Sequence, residues 1–381
     1  MNPRPDRACV AIIAGEASGD QHGAKLVTAM QKKDPAIFFC GIGGSELRQA
    51  GVRILVDASE LTVVGLTEVF SKLPGILKGM STIKKVLKSL KPDLLILIDF
   101  PDFNLHVAAA AKKLEIPVLY YISPQIWAWR RNRVKRIKRL VDHMAVILPF
   151  EQRFYTENNV PATFVGHPLL DGPLPAMELT ATAGGDGQLT IGLVPGSREN
   201  EVQRHLPVML DCADILKDRL KHATFIVSHA RSVERKQLET IVADHPCRMD
   251  VNIISDGIEA VFERSDVLVA ASGTVTLQAA IHGKPMVIIY KVSPISFMLG
   301  RALVRVPYIG LVNLVAGRKL VPELVQNDAN PENIASAVDD MLADYNQLNQ
   351  LKKQLAELRD VLGGAGASEK VADLALGMLP Q

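Results

Sequence analysis

Residues Leu94–Asn104 read LLILIDFPDFN, five consecutive aliphatic side chains that give way to two carboxylates and an amide. A strand with one solvated face alternates apolar and polar residues. An unbroken apolar run means burial on both faces, as in a parallel sheet covered by helices. Similar runs recur at Ala8–Ala14, Ala36–Cys40, Pro117–Ile122, Met144–Leu148 and Ala162–Val165, then at Leu189–Val194, Thr224–Ser228, Val251–Ile254, Val267–Ala270 and Pro285–Tyr290. Longer segments of helical period separate them. The fold class is therefore α/β, built from doubly wound parallel sheets.

With 381 residues the chain exceeds one ordinary domain. The strand–helix alternation stops between Asp171 and Gln188, a stretch with prolines, threonines and the Gly184–Gly187 patch, which reads as a linker. We expect a Rossmann-like domain over residues 1–170, a linker over 171–188, a second Rossmann-like domain over 189–345, and C-terminal helices over 346–381. Gly363, Gly364 and Gly366 interrupt that tail before a last helix at Ser368–Met378. It is expected to pack back on the first domain or onto a partner chain, with a frayed terminus as the alternative.

A hydrophobic fraction of 48% with 22% charged residues excludes disorder, and a net charge of +2 argues against a nucleic-acid partner. The basic charge is local. Seven of the ten residues from Arg130 to Arg139 are Lys or Arg, so the remainder of the chain is net acidic. Cys9, Cys40, Cys212 and Cys247 lack metal or redox spacing and read as reduced, buried thiols of a cytosolic protein. No signal peptide is visible at the N-terminus. Arg301 and Arg305 break the longest apolar stretch, Phe297 to Gly317, which rules it out as a membrane span.

In doubly wound sheets, ligands bind beyond the carboxyl ends of strands, where the strand order reverses. The first run leads into Gly15–Asp20, GEASGD. Its glycines suit a tight turn and Ser18 or Asp20 suits a helix cap, whereas Glu16 has no capping use and is a candidate ligand contact. A plain capped loop is the alternative. The string is not G-x-G-x-x-G, so a nicotinamide cofactor has no support. The second run leads into GIGG, Gly41–Gly44, which permits close approach of a sugar or phosphate. In the opening stretch Asn104 is expected to cap the next helix, with Asp102 as a second candidate. Asp99 comes directly off the strand. A carboxylate there is costly unless solvated, bonded or used, and sugar transfer to a hydroxyl needs a general base. Asp99 is the candidate for that role.

Tyr121–Trp129, YISPQIWAW, contains both tryptophans of the chain, Trp127 and Trp129, and runs into the basic segment. A helix there would set Arg131, Lys135, Lys138 and Arg139 on one face. That face is either simply solvated or meets anionic lipid or a phosphorylated substrate. In the second half, Pro195–Arg198 (PGSR) and Ala271–Thr274 (ASGT) each join a strand to a helix. Backbone N–H groups at a helix start bind anions, and the Arg198 fork adds charge. Gly196, Ser197 and Arg198 with Ser272, Gly273 and Thr274 make two anion-ready turns suited to a nucleotide diphosphate. No carboxylates show metal spacing, and neither a metal nor another cofactor is expected.

In this order the strings GEASGD, GIGG, VVGLTEV (Val63–Val69), DFPDFN, SPQIWAWR, FVGHPLLD (Phe164–Asp171), LVPGSREN (Leu193–Asn200), ASGTVTLQAA and NLVAGRKLVPELVQ resemble the lipid A disaccharide synthases, and they cover Gly15 to Gln326. The resemblance implies a GT-B fold: two Rossmann-like domains facing a cleft, with C-terminal helices crossing back to the first. It implies inverting transfer from UDP-2,3-diacylglucosamine to 2,3-diacylglucosamine 1-phosphate, forming a β-1,6 bond and releasing UDP without a metal. Asp99 would be the base and Glu16 its neighbour in the acceptor half. Arg198, Asn313, Glu323 and Gln326 would serve the donor. One departure concerns Gln278, where the family usually carries a carboxylate for the ribose hydroxyls; a neutral amide bonds a diol more weakly.

Acylated substrates imply a membrane contact, peripheral and on the cytoplasmic face of the inner membrane. Phe70 and Leu73 are helically spaced with Ile76 and Leu77, either as a core helix or as an interfacial one beside Trp127, Trp129, Arg131, Lys135 and Lys138. The resemblance also implies a homodimer. A UDP-sugar 2-epimerase of the same fold is the alternative reading, and a non-catalytic membrane-surface scaffold is a second.

Overall fold

The structure, a computed structural model, describes residues 7–60, 68–172, 174, 189–246, 250–304 and 306–380. It contains two compact units. One runs through Gly172 and resumes at Leu362; the other ends at Val361.

The first unit is built on a parallel sheet of β1 (Cys9–Ala14), β2 (Phe38–Gly43), β3 (Arg53–Asp57), β4 (Leu94–Ile98), β5 (Val118–Tyr121), β6 (His143–Val146) and β7 (Ala162–Phe164), in the order β3-β2-β1-β4-β5-β6-β7. All of β4 is fully buried, and β1 nearly so. One face packs Ile83, Leu87, Phe103 and Val107, and the other packs Leu26, Met30, Val371 and Ala375. That two-sided cover is why these strands lack polar alternation.

The second unit repeats the architecture with β8 (Leu189–Val194), β9 (Ala223–Ser228), β10 (Val251–Ile254), β11 (Val267–Ala271), β12 (Met286–Tyr290) and β13 (Glu323–Val325), in the order β10-β9-β8-β11-β12-β13. Its pairings are parallel throughout. The strand order reverses between β1 and β4 in the first unit and between β8 and β11 in the second, which fixes where ligands bind.

Two strands, β3 and β13, add to the sequence reading. Both lie at sheet edges, and β3 opens on an exposed Arg53 while β13 opens on Glu323. An edge strand is covered less completely and needs no continuous apolar run. The C-terminal tail divides between the units. Helix Tyr345–Val361 packs on helices Thr274–Ile281, Leu311–Ala316 and Pro331–Ala343, whereas helix Ala367–Gly377 packs on Ala17–Lys33. Asp171 anchors the latter, its carboxylate accepting the N–H groups of Gly366, Ala367 and Ser368 at 2.8–2.9 Å and the Ser368 hydroxyl at 2.6 Å. A carboxylate at a helix start satisfies donors that have no partner within the helix. The rest of the expected linker lies outside the described residues, apart from Gly172 and Leu174.

Cys9, Cys40 and Cys212 are free and buried, while Cys247 lies outside the described residues. Among the described residues no helix is long and apolar enough to cross a membrane.

Candidate active site

At the switch point of the first unit, Gly15 and Glu16 follow β1 while Asp99 and Phe100 follow β4. Glu16 is the exposed N-cap residue of helix Ala17–Lys33, and its side chain makes no capping bond. Asp99 and Phe100 are both left-handed, with φ of 43° and 48°. For residues with a Cβ this costs about 1–3 kcal/mol each. The Phe100 ring lies against Gly15, where a Cβ would sit 2.4 Å from two ring carbons. Gly15 is thus required by close packing.

Asp99 is half-buried, and its carboxyl is pushed up to about 6, by burial first and by the negative charge of Glu16 second; the Phe100 N–H opposes both. A carboxylate tuned toward neutrality is suited to general-base work. The charge of Glu16 thus reaches the Asp99 carboxyl.

Two neighbouring residues have other roles than expected. Asn104 lies inside helix Pro101–Lys112 and does not cap it; its amide Nδ2 donates to the carbonyls of Ile98 at 3.1 Å and Asp99 at 2.6 Å. Asp20 is buried and accepts the N–H groups of Gly44, Glu46 and Leu47. The GIGG turn is shaped by this carboxylate, which caps helix Ser45–Gln49 from a neighbouring element. Asp102 is exposed and pairs with Arg133.

The tryptophan segment departs from the expected surface helix. Trp127 is 5% exposed and donates its indole N–H to Glu151 at 2.9 Å, so it belongs to the core and not to a surface. Trp129 is 39% exposed, with the Arg130 guanidinium 4.2 Å from its ring centre. The expected single basic helix is broken. Arg131 lies in a one-turn 3-10 segment, Arg131–Arg133, and donates to the Trp127 carbonyl; the α-helix begins at Val134. Burial of Val134 and Ile137 leaves Lys135, Lys138 and Arg139 exposed. The side chains of Phe70 and Leu73 lie outside the described residues. In the same helix, Glu68–Leu90, Leu77 is 61% exposed, whereas Ile76 packs on the core.

In the second unit, Gly196, Ser197, Arg198, Ser272, Gly273, Thr274 and Gln278 line one cavity of about 550 Å³, at the switch point of β8 and β11. Sequence reasoning missed further walls: Ser228 at the end of β9, His229 and Arg231 after it, and Gly257, Ile258 and Glu259 after β10. The signal was the same one, polar residues and glycine directly after an apolar run. Gly196 has φ +122°, which lets the chain turn under Glu201. The Glu201 carboxylate accepts Ser197 N–H at 3.0 Å and Arg198 Nη1 at 2.9 Å, holding the turn and the guanidinium together. His205, buried and kept neutral by that burial, links Pro195 O to Lys291 N–H and so ties the β8 turn to the β12 turn.

The other expected donor contacts are committed to backbone. Asn313 is fully buried; its amide oxygen accepts Leu320 and Val321 N–H, and its nitrogen donates to Val321 O and Glu323. Glu323 accepts the N–H groups of Ile309 and Gly310 at 2.9 Å. Gln326 bonds both ways with the Val292 backbone. These three brace the loops after β12 and do not line the cavity.

The glycotransferase of kitacinnamycin matches 99% of this chain and all of its own, with a TM-score of 0.64 at 15% identity. A UDP-GlcNAc 2-epimerase from Neisseria meningitidis matches 97% of this chain and all of its own, with a TM-score of 0.65 at 14% identity. At such identities the likeness speaks for the shared GT-B fold alone. Sequence relatives go further. The lipid-A-disaccharide synthase of Syntrophus aciditrophicus is 47% identical, and that of Geobacter sulfurreducens 46%, each over 97% of both chains. The family model described as lipid-A-disaccharide synthetase matches residues 10–375. With a match over nearly its whole length, the chain belongs to the lipid-A-disaccharide synthetase family.

Proposed function

We propose that this chain is an inverting glycosyltransferase that joins UDP-2,3-diacylglucosamine to 2,3-diacylglucosamine 1-phosphate through a β-1,6 bond and releases UDP. The carrying observation is the full-length family match, together with a base-bearing strand end in one unit and a cationic, N–H-rich cavity in the other. In this reading Asp99 takes the proton from the acceptor 6-hydroxyl as its oxygen attacks the anomeric carbon. The C–O bond to UDP breaks on the opposite face. Arg198 and the N–H groups at the start of helix Thr274–Ile281 hold the diphosphate as negative charge develops on it. Gln278 bonds the ribose hydroxyls as a neutral amide. Glu16 keeps Asp99 basic.

Because the substrates of this family are lipid-bearing sugars, the enzyme works at the cytoplasmic face of the inner membrane, held there peripherally, and as a homodimer. The exposed Trp129, Arg130, Arg131, Lys135, Lys138 and Arg139 support attachment to anionic lipid. Exposed Leu77 adds an apolar contact.

The deciding measurement is UDP release from UDP-diacylglucosamine with and without the acylated acceptor. We expect release to depend on the acceptor. Release at the same rate without it, or with conversion of the free UDP-sugar to an epimer, would sink the transferase reading in favour of an epimerase.

A further inference from the structure

The turn that presents Asp99 is held by two buried side chains with no other evident use. Tyr120 on β5 is fully buried, and its hydroxyl donates to the Asp99 carbonyl at 2.6 Å. Asn104, also fully buried, donates to the same carbonyl at 2.6 Å and to that of Ile98 at 3.1 Å. The Asp99 N–H continues the sheet by donating to Tyr121 O at 3.3 Å. The peptide groups on both sides of the Asp99 α-carbon are thereby fixed.

A comparison inside the molecule shows why this is more than turn-making. After β8 the chain turns at Gly196 with φ +122°, and after β11 it passes through an extended Gly273. After β4 it takes two consecutive left-handed residues that both carry side chains, Asp99 and Phe100. Glycine would meet the backbone need without strain. Keeping a carboxylate there, and burying a hydroxyl and an amide to hold it, makes sense if the direction of that carboxylate matters. The amide oxygen of Asn104 finds no hydrogen-bond partner in its buried position, so the amide is retained for its donor end at a cost in unmet polarity.

We propose that Tyr120 and Asn104 are positioning residues, which lock the left-handed Asp99–Phe100 turn so that the Asp99 carboxylate is aimed at the acceptor hydroxyl. The inference rests on the reading of Asp99 as the base. Neither residue touches substrate. Glu16 from the β1 turn is the charged group that acts on the Asp99 carboxyl, while Asp99, Tyr155 and Asp102, the last paired with Arg133, act on the Tyr120 hydroxyl.

The test uses the full chain with Tyr120→Phe, Asn104→Leu and Asp99→Asn in steady-state kinetics across pH, with thermal melts alongside. Misaiming a reacting group by about an ångström lowers rate on the order of 100-fold, so we expect kcat to fall about 10–100-fold in the first two variants. KM for both substrates should stay within about twofold. A carboxyl released toward water regains its ordinary acidity, so the acid limb of kcat/KM should move about half a pH unit lower. A lower melting temperature with unchanged limb and unchanged kcat per folded molecule, in either variant, would mean a merely structural role and overturn the inference. Asn104→Leu, close in size and apolar, keeps the question answerable if Tyr120→Phe fails to fold. Near-normal turnover in Asp99→Asn would instead overturn the base reading itself, whatever the other two variants do.

Discussion

Between β1 and β4 of the first unit the strand ends carry Glu16 on an extended backbone and Asp99 on a strained, tightly braced one. Between β8 and β11 of the second they carry Gly196, Ser197, Arg198, Ser272 and Gly273 around a cavity. The topological position is the same and the chemistry is opposite. One switch point concentrates negative charge and half-buries it, which raises the proton affinity of Asp99. The other offers N–H groups and a guanidinium, which attract anions. A doubly wound sheet supplies the place; the residues after each strand decide whether that place handles a proton or a phosphate.

Substitutions at the two switch points test this contrast. The largest effect is expected from Asp99→Asn. Loss of a general base lowers turnover by about 10²–10⁴-fold, while UDP affinity, assigned to the other unit in the proposed reading, should be unchanged by calorimetry. The converse variant, Arg198→Ala, removes a charge-assisted fork and should weaken UDP binding about 10–100-fold. If Asp99→Asn weakened UDP as much as Arg198→Ala did, the division of labour would be wrong.

Next in size is a glycine pair. Gly15→Ala drives a Cβ into the Phe100 ring and should cost about 1–3 kcal/mol in chemical denaturation. Gly273→Ala meets nothing within 4 Å and should leave stability nearly untouched, reporting only on ligand approach. Equal destabilisation by both would show that the second turn is packed as tightly as the first.

The smallest expected effect concerns pH. In the proposed role Asp99 takes up a proton only when ionised, so kcat/KM should fall as pH drops through about 6. The Glu16 charge helps to hold that value up. Glu16→Gln should therefore move the acid limb to lower pH, by roughly half a unit. An unmoved limb would separate Glu16 from Asp99.

Particular residues show how much could be read in advance. Leu94–Ile98 announced a buried parallel strand because covering both faces leaves no room for polar alternation, and Asp99 stood out because a carboxylate at such an end is costly without a use. PGSR and ASGT were visible for a related reason: an anion-binding helix start is made of local backbone and needs few side chains. Trp127 was misread as surface because its partner, Glu151, lies 24 residues away. Asn104 was misread as a cap because its targets, the Ile98 and Asp99 carbonyls, lie behind it on the strand. The walls formed by His229, Arg231 and Glu259 were overlooked because their strands come to the same cavity only through the sheet order.

The fold class, the strand-end turns and the family were all legible along the chain, since each is written in local runs and in strings whose order is sufficient. Tertiary structure alone decided which polar groups meet. Pairing of β4 with β5 puts the Tyr120 hydroxyl on the Asp99 carbonyl, burial beside Glu16 sets the acidity of Asp99, and the loops after β12 draw Asn313, Glu323 and Gln326 into bracing the backbone. The physical reason is common to all three. A hydrogen bond or a desolvation penalty depends on neighbours distant in the chain, and only the packed sheet brings them within reach.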